Sequence, residues 1–101
     1  MNRIEVTGNL TNDVTVTTVG EKNTLKGSFS MAVNRKYASG QDNDYFNCEV
    51  FGTIAETHAK NIKKGSKVLV AGEMHIDRGT DNTKIYPKIV VSDIEYLDAK
   101  E

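Results

Sequence analysis

Residues 45–65 read YFNCEVFGTIAETHAKNIKKG, and the period of the apolar residues changes inside this stretch. Up to Phe51 the period is two. Phe46, Cys48 and Val50 share one face of an extended segment and make an ordinary core stripe, while Tyr45, Asn47, Glu49 and Phe51 share the other. From Thr53 the period is helical, with Ile54, Ala55, Ala59 and Ile62 on one apolar stripe. Thr53 and Glu56 stand at the spacing of a capping box, in which each side chain satisfies a backbone N–H at the helix start. Lys63 and Lys64 are expected in the last turn, where cations suit the helix dipole, and Gly65 as its left-handed stop.

On either side of this stretch the chain reads as strands. Ile4 and Val6 alternate with polar residues, Gly8-Asn9 allows a bend, and Val14 and Val16 alternate with threonines. Gly20-Glu21-Lys22-Asn23 is a hairpin turn signal, followed by a strand with Phe29, Met31 and Val33 on one face. Residues 38–44 form a polar loop. After the helix, Val68, Val70, Met74 and Ile76 continue a strand in which Gly72 marks a bulge or a close backbone approach. Residues 77–83 form a second polar loop, and Ile85 to Leu97 is extended, with Pro87 marking an edge, a bulge or a break. This order fits an all-β, five-stranded OB-fold Greek-key barrel with one helix between strands 3 and 4. An α+β sandwich would give a similar string. Residues 1–98 are expected to form one domain, with 99–101 a short C-terminal end.

Composition narrows the function classes. With 38% hydrophobic and 27% charged residues, the 101-residue chain reads as a globular domain with one modest core. Apolar runs stay far below the ~20 residues that cross a bilayer, and the N-terminus has no signal-peptide pattern, so no membrane partner and a cytoplasmic location are expected. Cys48 is the single cysteine, so no internal disulfide can form; on its apolar face it reads as a core residue rather than a nucleophile. Cys48 with His58 and His75, the only histidines, is a poor zinc set. No nucleophile elbow, phosphate loop or HExxH motif is present, and Glu49 and Glu56 lie on different elements, so neither catalysis, metal nor cofactor is expected.

The net charge is −1, but residues 93–101 hold four acidic groups against Lys100, leaving residues 1–92 with 12 basic and 10 acidic groups. Affinity for a polyanion would have to come from locally placed cations and from stacking. Tyr45 and Phe51 on an otherwise polar strand face are candidate stacking platforms for nucleobases; the plainer alternatives are that Phe51 packs under the helix and Tyr45 is an ordinary surface residue. Arg35-Lys36-Tyr37 places two cations and an aromatic where a strand runs into a loop, and Lys64 and Arg78 lie near the helix end and the second loop.

Gly8-Asn9-Leu10, the run Phe29 to Arg35, Phe51-Gly52-Thr53-Ile54-Ala55-Glu56, Lys63-Lys64-Gly65-Ser66 and the segment Val68 to Glu73 together resemble, in order and spacing, the bacterial-type single-stranded DNA-binding proteins. The resemblance covers nearly the whole chain. It implies an OB-fold that binds single-stranded DNA without sequence preference during DNA replication, recombination and repair, usually as a homotetramer, with a dimer as the other outcome. It implies base stacking on Tyr37, Tyr45 and Phe51, and phosphate contacts at Lys64 and Arg78, with Arg3 and Lys36 as weaker candidates; Arg35 joins them from its place beside Lys36 and Tyr37. Three departures stand out: a family aromatic falls on Gly79, and two family cations fall on Thr53 and Asn47. No tryptophan is present, and no acidic tail for recruiting replication or recombination proteins follows the last strand. Such a short form suggests a phage or plasmid version, acting at the nucleoid or a phage replication site. An OB-fold protein–protein module and an RNA-binding OB domain are the rival readings, since stacking ignores the 2′-OH.

Overall fold

The computed structural model describes residues 1–35, 42–78 and 84–98. Six strands and one helix follow in the order β1 (Ile4–Leu10), β2 (Thr15–Val19), β3 (Thr24–Asn34), β4 (Asn43–Phe51), α1 (Ile54–Asn61), β5 (Lys67–Arg78) and β6 (Ile85–Tyr96). The strands form one sheet in the order β1-β5-β6-β4-β3-β2, and a further β1–β3 pairing closes it into a barrel.

The strand count is six rather than five because the first barrel strand is split. Leu10 pairs with Met31 and Thr15 with Ser28, so β3 advances three residues while the first strand advances five. The two extra residues bulge out. Asn12 covers the gap, its Oδ1 accepting the Ser30 backbone N–H at 2.9 Å, and the Thr11 N–H bonds the Ser30 carbonyl. The bend lets β1 pair with β5 while β2 stays on β3, which is how one strand serves both sides of a closed sheet. The helix therefore follows the fourth strand in this numbering and sits between the strands that bear Phe51 and Val68.

The inward residues fill the barrel. Phe29, Met31, Cys48, Val50, Val68 and Ile89 are all at most 4% exposed. Phe46, on the same face as Cys48, is only half-buried, at the rim of this cluster. Gly72 has both roles expected of it. Between Ala71 and Gly72 the register slips, leaving Ser92 as the bulged residue on β6, and a Cβ at Gly72 would collide with the Val90 carbonyl. At the first hairpin the Asn23 N–H bonds the Gly20 carbonyl, as a tight turn requires.

The helix ends differ from expectation. Thr53 has helical angles (φ −63°, ψ −23°) and makes no side-chain cap bond. A capping side chain needs an extended backbone at that residue to reach forward. The first donors are met by backbone instead, Ala55 N–H on the Gly52 carbonyl and Glu56 N–H on the Thr53 carbonyl. The helix stops at Asn61 because Ile62 turns extended (φ −126°, ψ 145°) to bury its side chain. Lys63 and Lys64 thus lie past the last turn, though Lys63 Nζ reaches back to the Ala59 carbonyl at 3.0 Å. Gly65 (φ 92°) serves the Lys63–Ser66 turn rather than the helix stop. His58 is buried and pairs with the Tyr96 hydroxyl at 2.6 Å, a structural role.

Candidate nucleic-acid interface

The outward face of β4 is the site's axis. Tyr45 is 69% and Phe51 41% exposed, with Asn47 and Glu49 between them. On β3 the residues opposite Tyr45, Asn47 and Glu49 are Ala32, Ser30 and Ser28, and Thr15 lies beyond Ser28 on β2. These side chains are small, so the floor beside Tyr45 is low and a planar ring can approach it, while Lys26 stands opposite Phe51. Phe51 is not wholly free: it shares a groove with Ile54, His58, Val91 and Ile94.

On the other side of β4 the floor meets β6. Only Cys48–Ile89 and Glu49–Val90 are paired, in parallel, and beyond them the β5–β6 ribbon parts from the barrel as a two-stranded arm. A groove of about 380 Å³ opens there, lined among others by Asn12, Thr15, Ser28, Asn47, Glu49, Tyr86 and Lys88. Its charges form a chain. Glu49 lies 3.5 Å from Lys26 Nζ and 3.1 Å from Lys88 Nζ, and Lys88 lies 2.9 Å from Asp77. Hydrogen bonds that the Lys88 ammonium donates to Asp77 and then to Glu49 hold its pKa above its usual range. Two cations are thus held on the floor, and their charge is balanced by two carboxylates.

The residues singled out in the sequence divide. Tyr45 and Phe51 share the face with this groove. Lys64 stands near its β2 end, its backbone N–H bonded to Asp13, and among the described residues its ammonium has no ion-pair partner. Arg35 follows the end of β3, with its guanidinium on Asp44 at 2.9 Å, a bond that raises its pKa; strand alternation sets Asp44 on the opposite face from Tyr45. Arg78 closes the arm, but strand alternation sets it on the opposite face from Asp77 and Tyr86. Arg3 precedes β1, alongside β5, and is held by Glu5 at 3.0 Å; the structure does not bring it to the β4 face. Lys36, Tyr37 and Gly79 lie outside the described residues. Sequence reasoning missed Lys26, Lys88 and Tyr86. The alternation of Tyr86, Lys88 and Val90 was visible, but not which strand they would meet.

A family model described as the single-strand binding protein family matches residues 1–97. The chain belongs to the single-strand binding protein family. Relatives include a single-stranded DNA-binding protein of Fusobacterium nucleatum, 31% identical over 99% of this chain and 69% of the relative. Single-stranded DNA-binding protein 3 of Listeria innocua is 32% identical over 100% of this chain and 66% of its own length. A single-stranded DNA-binding protein of the onion yellows phytoplasma is 30% identical, covering 99% of this chain and 97% of the relative. The chain thus spans about two thirds of the first two relatives and nearly all of the third. Membership in the single-strand binding protein family places it among binding proteins rather than enzymes. Among the described residues, no helix is long and apolar enough to cross a membrane.

Proposed function

We propose that this protein binds single-stranded DNA without sequence preference and protects it during DNA replication, recombination and repair. Bases stack on Tyr45 and Phe51, joined by Tyr37, while the phosphates follow the cations Lys26, Lys88 and Lys64, with Arg35, Lys36 and Arg78 at the margins. The observation that carries this reading is the outward face of β4: two exposed aromatics outside the core cluster, Tyr45 beside a floor of small residues and Phe51 opposite Lys26. Stacking needs unpaired bases, because a duplex hides their faces. Helix α1 offers no substitute, since it is eight residues long and Ala55 and His58 seat it on the barrel.

Residues 1–98 act as one binding domain in the cytoplasm; the modest core of so small a barrel favours assembly, and likeness to the family favours a homotetramer, with a dimer as the less favoured outcome. The test is competition. A labelled oligothymidine bound to the protein should be displaced by unlabelled single-stranded DNA but not by an equal concentration of duplex. Equal displacement by duplex refutes the reading, and preferential displacement by RNA moves the protein to the RNA-binding class. Light scattering that gives a monomer at micromolar concentration refutes the tetramer.

A further inference from the structure

The geometry points to Tyr86 as a further nucleobase platform, on the wall of the groove between β4 and the β5–β6 arm. This rests on the reading of the chain as a single-strand binder and adds a wall to that site.

Three observations carry it. The first is register. Glu49 pairs with Val90 in parallel, and past that pair the strands part, so Asn47, Lys88 and Tyr86 line the groove that opens between them, with Tyr45 two residues beyond Asn47 on the same face of β4. Both tyrosines share the outward parity of their strands, and Tyr86 lines the groove together with Asn47 and Lys88. The second is exposure. Tyr86 is 54% exposed and stands outside the core cluster, so burial does not account for an aromatic there. The third is stiffness. Tyr86 directly precedes Pro87, whose ring confines the residue before it to extended backbone. It also pairs with Asp77 across the arm. A platform whose backbone is fixed beforehand loses little freedom when a base settles on it.

The groove supplies the rest of a nucleotide's needs. The Asn47 amide can donate to or accept from a base edge at the floor. Lys88 stands two residues from Tyr86 on the same face, where a phosphate linking stacked nucleotides can exchange for Glu49 or Asp77. The ligand is therefore a single strand that crosses from β4 onto the arm, with successive bases on Tyr45 and Tyr86.

The test compares wild type, Tyr86→Ala, Tyr86→Phe and Tyr45→Ala in oligothymidine titrations. It adds ultraviolet crosslinking to a strand carrying 5-iododeoxyuridine, with the crosslinked residues mapped by mass spectrometry. The expected results are affinity about tenfold weaker for Tyr86→Ala, near-wild-type affinity for Tyr86→Phe, and a crosslink on Tyr86. Wild-type affinity in Tyr86→Ala with Tyr45→Ala weakened, or crosslinks on Tyr45 and none on Tyr86, overturns the assignment and leaves single-strand binding standing. A change of oligomeric state in Tyr86→Ala with unchanged affinity per protomer assigns Tyr86 to a subunit contact and also overturns it. Should Tyr86→Ala fail to fold, Tyr86→Phe and the crosslink decide. A wild-type protein that binds no single strand refutes the underlying reading instead.

Discussion

Truncating Tyr45 and truncating Phe29 should have opposite consequences, and the structure sets the size of each. An aromatic side chain offers about 200 Å² for burial, and burial contributes about 25 cal/mol per Å². Tyr45 is 69% exposed, so roughly 60 Å² of it is covered and Tyr45→Ala should cost at most about 1.5 kcal/mol of stability. Phe29 is 3% exposed, so Phe29→Ala should cost about 3–5 kcal/mol, the range of a core phenylalanine. Near the midpoint, 1 kcal/mol is about 4–8 °C in a domain of this size, so the two variants separate clearly in a thermal melt. For binding the order reverses. A stacked base is worth about 1–3 kcal/mol, so Tyr45→Ala should weaken affinity for a short oligothymidine by about five- to 150-fold. Phe29→Ala, measured well below its own midpoint, should bind near wild type. The assay is fluorescence anisotropy with a strand of about 15 nucleotides, close to the site size of one OB-fold. Wild-type affinity in Tyr45→Ala, or a loss of stability equal to that of Phe29→Ala, would refute the assignment of this face to bases.

Other consequences follow from single side chains. Glu49→Gln removes the carboxylate between Lys26 and Lys88, so binding should tighten at low salt and the slope of log affinity against log salt should steepen by up to about 0.7 per added phosphate contact; an unchanged slope would show that neither lysine meets the backbone. Burial lowers the pKa of His58, with Asp93 partly opposing. The unfolded chain therefore takes up the proton first, so the contribution of His58 is complete above its ordinary value near 6.5 and is lost as pH falls from there through the depressed value. Melts of wild type and His58→Gln between about pH 7.5 and 5 should converge as pH falls, and parallel curves would contradict this. Cys48 is buried with its thiol pushed up to about 12, so a thiol reagent at neutral pH should label it only at the rate of unfolding. Labelling faster than unfolding would mean that β4 opens locally.

What the sequence made legible was local. The alternation through β4 correctly assigned Cys48 and Val50 inward and Tyr45 outward, because strand parity follows from backbone geometry alone. The change of period at Thr53 located the helix for the same reason. The cap was misread because a capping box presumes an extended Thr53, whereas this helix starts from the turn at Gly52 (φ 97°). Lys63 and Lys64 were placed on the helix because periodicity could not show that Ile62 leaves it to reach the core. Lys26, Glu49, Lys88 and Tyr86 were illegible as a group. Lys26 reaches Glu49 across β3–β4, and Lys88 and Tyr86 come to it through the parallel β4–β6 pairing, which joins segments about 40 residues apart; no local pattern reports which strands become neighbours.

If unpaired bases stack on this protein's tyrosines, its intrinsic fluorescence must report the contact. The chain has four tyrosines and no tryptophan, so the emission is tyrosine alone. Tyr96 is tied to His58 inside the fold, whereas Tyr45 and Tyr86 stand exposed on the groove face. Titration with oligothymidine should quench a large share of the emission, saturate at a fixed stoichiometry, and lose much of its amplitude in Tyr45→Ala. Duplex at the same nucleotide concentration should leave the emission nearly unchanged. Saturating single strand without quenching, or equal quenching by duplex, would contradict the account.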